Sequence, residues 1–493
     1  MSRPPALTGL GSVRALLATA DPEGALVPCD LRELVVGADV LPRLPEVVAN
    51  VLAGTTGAAA GRPRVVLLVD ETLILRGTED VKALSERLLA EQFDVTRVVL
   101  SDGHPELHVT DDVVAQAVGA IGDADAVVAL GGGTISDIGK LVVASPALTA
   151  RDAGAPALVS VMTAASVDGY TDNVSVMLRD GVKRTVPSVW PDVVLADADT
   201  VAGAPSRMTR AGFGEMTSMF VAPADWRLAA LTGVDTTFHR GPIVLLDALA
   251  DQLDACAPGV SAGEPAAVQE LTWALALRGI ATGVAGTTAC LSGVEHLVSH
   301  MLDLRAAELH LPTGLHGEQV GAGSVVAACA WEMLHERLAA DPSARIRADL
   351  LDPTAAEARV RTAFGTLDST GRIGGECWND YARKGARIEA NLTQINELLA
   401  TWPSHADELQ ALARPSAVIA RGLRASGSPA LLSELGDDVD AATARWAVEN
   451  CALMRDRFTV VDLLTLLGWW QDDDVSEVLA RVERAVAAQE VLV

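Results

Sequence analysis

A chain of 493 residues, 49% apolar and 21% charged, has material for two or three domains and an ample buried core. Its formal net charge of −27 excludes nucleic acid and anionic membrane surfaces as partners, because both select a basic footprint. No uncharged apolar run reaches the ~18 residues of a membrane span and "MSRPPALTGLGSVRALL" is no secretory leader, so a cytoplasmic protein is expected.

Residues 1–30 are punctuated by Pro and Gly and read as a peripheral segment. "AGTTGAAAG" (53–61) reads as a short linker. "RVVLLVDET" (64–72) then predicts a buried strand, "DVKALSERLLAEQF" an amphipathic helix and "DVTRVVLSDG" a second strand. "TDDVVAQAVGAIG" predicts a helix capped by Thr110, and "ADAVVALGGG" and "APALVSVMTAAS" predict two more strands. Such alternation implies a doubly wound parallel sheet, whose ligands bind beyond the carboxyl ends of the strands. After about residue 203 the pattern is helical, as in "PAAVQELTWALALRGIATGVAG" and "GEQVGAGSVVAACAWEMLHERLAA". The expected organisation is an α/β half over 1–203 and an all-α half over 204–493, with 390–493 as an extended C-terminal part. Six cysteines without a C-x-x-C pair read as reduced, buried thiols.

Chemistry concentrates in two places. In "VVALGGGTISDIGK" (127–140) an apolar run meets Gly131, Gly132 and Gly133, then Thr134 and Asp137. Three glycines let a backbone approach a ligand, and a following helix N-terminus favours phosphate. The same text also fits a plain strand-to-helix turn, and it is neither G-x-G-x-x-G nor a Walker loop. Asp70 ends the first of these strands, where a carboxylate either binds a ribose diol, favouring NAD over NADP, or begins a turn. In the helical half, Glu215, His296 and His316 offer one carboxylate and two imidazoles, the donors of a catalytic divalent-metal site. His300 follows His296 by one helical turn and is open to three roles: ligand, support for a ligand, or proton donor. His104, His108, His239, His310, His335 and His405 read as structural or surface residues.

Taken together, "GGGTISDIGK", "TAASVDGYTDNVSV", "DGVKRTVPSVWPDVVLAD", "APSRMTRAGFGEMTS", "SGVEHLVSH" and "GLHGEQVG" occur in an order that resembles the sn-glycerol-1-phosphate dehydrogenases, particularly their bacterial branch. That family sits beside the iron-containing alcohol dehydrogenases, glycerol dehydrogenases and dehydroquinate synthases. The resemblance covers roughly residues 35–385. It implies a dehydroquinate synthase-like fold, with a nucleotide-binding α/β domain, a helical metal domain and an active site in the cleft between them. It places the dinucleotide pyrophosphate on Gly131–Gly133, Thr134 and Asp137, and cofactor contacts on Thr163 and Ser166. It directs Asp168 at the substrate hydroxyl, assigns the metal to Glu215, His296 and His316, and matches Lys183 to a basic "G-x-K-x-T" feature. Asp168, or His300 through water, would relay the released proton.

The implied enzyme is an NAD(P)- and metal-dependent dehydrogenase, a homodimer or larger homo-oligomer, interconverting a small polyol or polyol phosphate with its ketone. Zn²⁺ is the expected metal, and Ni²⁺ or Fe²⁺ fit the same ligand types. Four positions depart from the family. Glu215 stands where Asp is usual, Met219 where Lys is common, Met162 where Pro precedes Thr, and Asp172 where a small Ser is usual. A missing cation at 219 and an added carboxylate at 172 argue against a phosphorylated substrate and for a plain polyol or an amine. A glutamate ligand also suits a dehydroquinate synthase-like lyase or cyclase with transient NAD redox. A non-catalytic member is the third class, opposed by the retained glycines and histidines.

Overall fold

The computed structural model describes residues 7–54, 61–104, 106–151, 154–179, 182–312 and 314–490. Most of the expected linker at 53–61 lies outside the described residues. Strands β1 (Glu33–Gly37), β2 (Arg64–Asp70), β3 (Asp94–Leu100), β4 (Ala126–Gly131) and β5 (Ala157–Met162) come first. A hairpin of β6 (Val174–Arg179) and β7 (Val182–Pro187) follows, and then β8 (Val193–Asp197). The main sheet runs β1-β8-β5-β4-β2-β3, with every pairing parallel.

The strands are nearly continuous apolar runs because both faces of the sheet are covered. Val65, Leu67 and Val69 of β2 face one core and Val66 and Leu68 the other, as the two-residue period requires. Helix α1 (Leu10–Ala20) precedes the sheet. Helices α2 (Leu44–Ala53) and α3 (Val81–Ala90) close the first face with Leu44, Val47, Val48, Val81 and Leu89. Helices α4 (Asp111–Ile121) and α5 (Gly133–Val143) close the second with Val113, Ala117, Ile135, Ile138 and Val142. Each buried Val, Leu or Ile here stabilises the sheet by about 1.5–3 kcal/mol, so a charge placed at Val128 would break the first of these layers. Thr110 caps α4, its Oγ1 accepting from Val113 N at 3.3 Å.

From residue 206 the described chain is helical: α6 (Ser206–Met216), α7 (Ala222–Leu231), α8 (Pro265–Ala285), α9 (Val294–Glu308), α10 (His316–Ala340), α11 (Arg372–Ala390), α12 (Val460–Leu467) and α13 (Asp472–Glu490) are the segments that matter below. The chain forms two compact units. One comprises the residues up to Gly212 with Arg240–Gly286; the other is Phe213–His239 with the residues from Thr287 on. The segment 240–286 therefore groups with the α/β part, although its text is helical and lies beyond the expected 203/204 division.

The N-terminal segment is not peripheral. Leu10, Val13 and Leu17, one face of α1, are buried, α1 packs on the helix Arg240–Asp247, and Arg14 donates to Leu31 O at 2.6 Å. The C-terminal part packs within the helical unit: α13 lies on α10 and on Ser416–Ser426 through buried Val475, Val478, Val482 and Val486. None of the six cysteines is in a disulfide, and five are buried. No described helix is long and apolar enough to cross a membrane.

Candidate functional site

In the α/β unit, β3 lies beyond β2 on one side and β5 beyond β4 on the other. Strand order thus reverses between β2 and β4, which opens a crevice at their carboxyl ends, Asp70 and Gly131. A Cβ on Gly131 would stand 2.8 Å from Ile135 Cγ1, and one on Gly133 2.9 Å from Val167 Cγ2. A Cβ on Gly132 would meet nothing within 4 Å. The outer glycines permit close packing, and the middle one leaves bare backbone that a side chain would fill. Helix α5 begins at Gly133, so its first N–H groups lack intrahelical acceptors and point at that space. The loop fits a dinucleotide pyrophosphate. Thr134 stands half-buried in the first turn, and Thr163 and Ser166 are buried just past β5. Lys183 lies on β7 opposite Leu178, and its side chain lies outside the described residues. Asp70 pairs with Lys82 Nζ at 2.5 Å and accepts from Thr72 Oγ1 at 3.1 Å, so both its oxygens already have partners.

Two acidic residues play parts the sequence did not give them. Asp137 has partners within the fold: its carboxylate meets Lys140 Nζ at 3.1 Å and accepts from Val176 N at 3.2 Å, anchoring the β6–β7 hairpin to α5. Asp172 is no bare charge beside Asp168, because Lys140 Nζ donates to it at 2.6 Å. Lys140 is fully buried and donates also to Gly169 O, at 2.7 Å, and to Val174 O. One ammonium cannot fully compensate two buried carboxylates. Burial pushes Asp172 up to about 6, with Lys140 opposing and Asp168 adding to the rise. Asp168 itself is paired with Arg278 of α8, a cation 2% exposed that sequence reading passed over. Gly279 makes this approach possible, since a Cβ there would lie 2.4 Å from Asp168 O, and Thr171 Oγ1 donates to Ala276 O at 2.7 Å. The visible signal was an arginine within an otherwise apolar helix, "WALALRGIATG".

In the helical unit, Glu215, His296 and His316 come together, with one possible ligand atom from each within 4.8 Å of the others. Backbone crossings at glycines bring them there. A Cβ on Gly214 would stand 2.2 Å from Gly317 O, so α6 and α10 touch beside Glu215 and His316. A Cβ on Gly323 would stand 2.7 Å from Glu295 O, which seats α9 on α10 beside His296. His296 Nε2 lies 3.4 Å from Glu215 Oε1, and His316 Nε2 3.7 Å from Glu215 Oε2.

The outer nitrogens fix the tautomers. His296 Nδ1 is 2.8 Å from Glu295 Oε1, and a carboxylate only accepts, so Nδ1 carries the proton. Ser299 Oγ donates to Gln319 Oε1 at 2.7 Å, so at 2.9 Å from His316 Nδ1 it accepts. Both imidazoles therefore turn Nε2 lone pairs toward the Glu215 carboxylate, a donor set that fits a divalent cation. Burial opposes a charge on His296, yet the Glu215 and Glu295 carboxylates beside its ring, which accept hydrogen bonds and carry negative charge, outweigh it and raise its pKa. His300 stands beside the set, its ring 6.1 Å from that of His316 and 6.2 Å from that of His296. Glu295, Ser299 and Gln319 went unnoticed in the sequence; the Glu-His dipeptide was the available hint.

Comparison with known proteins is consistent with both halves of this description. The family model for iron-containing alcohol dehydrogenases matches residues 35–205. Glycerol-1-phosphate dehydrogenase of Bacillus velezensis is 28% identical over 265 residues, 53% of this chain and 65% of that protein. The Pyrococcus furiosus enzyme of the same name is 34% identical, again over 65% of its length, so the chain spans just under two thirds of these relatives. The Halorubrum lacusprofundi enzyme is 31% identical over 60% of this chain and 75% of its own. Among solved structures, glycerol dehydrogenase from Schizosaccharomyces pombe superposes with a TM-score of 0.54 at 14% identity, covering 93% of this chain and 89% of that one. A probable glycerol dehydrogenase from Sinorhizobium meliloti gives 0.53 at 18% identity, covering 93% and 98%; both likenesses concern the fold.

Proposed function

Because the chain belongs to the glycerol-1-phosphate dehydrogenase family, within the iron-containing alcohol dehydrogenases, we propose that it interconverts a small polyol or polyol phosphate with its ketone, using NAD(P). The carrying observation is the Glu215/His296/His316 set with its two inward Nε2 lone pairs. When bound, a divalent cation supplies Lewis acidity toward the substrate oxygen and the dinucleotide supplies the hydride acceptor.

The chain's own residues do the rest. Glu215, His296 and His316 hold the cation, Zn²⁺ foremost, while Glu295 and Ser299 keep both rings in the binding tautomer. Gly131–Gly133 and the start of α5 seat the pyrophosphate, and Thr163 and Ser166 line the cofactor side. Asp70 is paired with Lys82 and Thr72, so its repulsion of a 2′-phosphate is weak and the site accommodates NAD or NADP. Asp168 accepts a hydrogen bond from a substrate hydroxyl, its rotamer fixed by Arg278. His300, half-buried, passes the released proton from an imidazole nitrogen toward solvent. With Asp172 paired to Lys140, a phosphorylated substrate meets less repulsion here than the sequence implied. The test is NADH consumption by the Zn²⁺-loaded chain with dihydroxyacetone phosphate, dihydroxyacetone and related ketones. Steady consumption is expected with at least one of them. Substrate loss without net NADH change would replace this reading with a lyase or cyclase.

A further inference from the structure

We propose that Asp225 and Arg457 are positioning residues for His296, gripping the start of helix α9 through the C-terminal segment and so setting the cation affinity of the Glu215/His296/His316 set. The inference rests on the metal reading above and deepens it. Val294 is the first residue of α9 and His296 the third, so their N–H groups have no intrahelical acceptor. Asp225 of α7 fills this gap: its Oδ2 accepts from Val294 N at 3.0 Å. Its other oxygen accepts from Val460 N at 2.9 Å, the first residue of α12. One carboxylate, 1% exposed, thus joins two helix starts that lie 166 positions apart in sequence (460 minus 294).

Arg457, three residues before α12, completes the grip. Its Nη1 donates to both the carbonyl and the hydroxyl of Ser292, and its Nη2 to Thr288 Oγ1 at 2.7 Å. Between these anchors stands Gly293, where a Cβ would lie 2.4 Å from Asp225 Oδ2. Its N–H donates at 2.7 Å to Glu295 Oε1, the same oxygen that accepts from His296 Nδ1. The backbone leading into His296 is therefore held from three sides, by the buried Asp225 and Glu295 and by the half-buried Arg457. There a mismatched partner is costly and small displacements are resisted. A shift of α9 by a fraction of an ångström moves His296 Nε2 relative to Glu215. The segment 390–493, which lies beyond the motifs that carry the sequence resemblance, is on this account part of the metal centre's support.

The test is titration of the metal-depleted full-length chain with Zn²⁺, and with Co²⁺ followed by its visible absorption. Asp225→Asn and Arg457→Met are expected to weaken Zn²⁺ binding about 10–100-fold and to change the Co²⁺ spectrum, with Arg457→Lys in between. A merely structural role would lower the melting temperature and leave affinity and spectrum untouched; that result in the folded variants overturns the proposal. His316→Ala separates the two claims. If it binds Zn²⁺ like the wild type, the metal reading itself fails. If it does not, while Asp225→Asn and Arg457→Met do, only the positioning role fails. Should Asp225→Asn not fold, Arg457→Lys and Ser292→Ala decide through the Zn²⁺-induced rise in melting temperature, expected to shrink and, if unchanged, fatal.

Discussion

On the function proposed above, the glycine loop and the histidine set would solve the same problem, holding a charged group, by opposite means. The loop works through backbone: a strand ends at Gly131, a helix starts at Gly133, and between them Gly132 leaves room. Its parts are contiguous in sequence. The histidine set works through side chains on three helices, gathered from positions 215, 296 and 316 and kept in place by residues whose own polar atoms are engaged in hydrogen bonds. A backbone site needs few residues and tolerates change around it. A side-chain site is only as good as its support.

Substitutions can break this contrast. The largest effect is expected from His316→Ala, which should abolish tight Zn²⁺ binding; metal content of the purified variant checks it. Next comes Gly214→Ala, whose methyl would run into Gly317 O. It should destabilise the helical unit by at least about 1–3 kcal/mol in chemical denaturation and weaken Zn²⁺ binding as well. Gly132→Ala should be nearly silent in stability, having no protein neighbour within 4 Å, yet lower NAD affinity several-fold by calorimetry. A Gly132→Ala protein that melts early, or a stable Gly214→Ala protein, would erase the distinction. Thr110→Ala should cost about 1 kcal/mol through the lost cap of α4.

The smallest effect sharpens the comparison through pH. The Asp172 carboxyl lies at about 6 in the folded chain against 3.8 when unperturbed, so the folded state binds that proton more firmly. The resulting stability is fully present below about pH 4 and is lost as pH rises through about 6. Asp172→Asn leaves Asp137 as the carboxylate facing Lys140 and should flatten that decline in melting temperature.

Strands β2 to β5 were legible because strands covered on both faces are unbroken apolar runs bounded by turns. The β6–β7 hairpin was missed although "RDG" between alternating residues is a turn signal, and β8 was read only as part of a motif. Helix α1 was misjudged because Pro and Gly around it masked the spacing of Leu10, Val13 and Leu17. The grouping of 240–286 with the α/β part depends on contacts such as Gly283 against Trp190, which no local pattern encodes. The glycine loop and the three metal-type residues were legible because their residue types announce their chemistry. Arg278, Glu295, Ser299 and Asp225 were not, because an arginine or a carboxylate acquires its role only from what the fold places against it. Asp137 and Asp172 show the converse: each read as facing a ligand until Lys140 was seen between them.

Lys140 has one consequence of its own. It fastens the helix behind the glycine loop to the turn carrying Asp168, through Asp172, Gly169 O and Val174 O. Tyr170 adds a contact from its hydroxyl to Gly131 O at 3.3 Å. Loop and turn are therefore tied to each other by buried hydrogen bonds that exist without a ligand. Binding there loses little conformational freedom, which raises affinity without adding a contact. The pairing also makes the two side chains energetically interdependent: removing either Lys140 or Asp172 alone leaves a buried charge without its partner and is expected to cost more than replacing both.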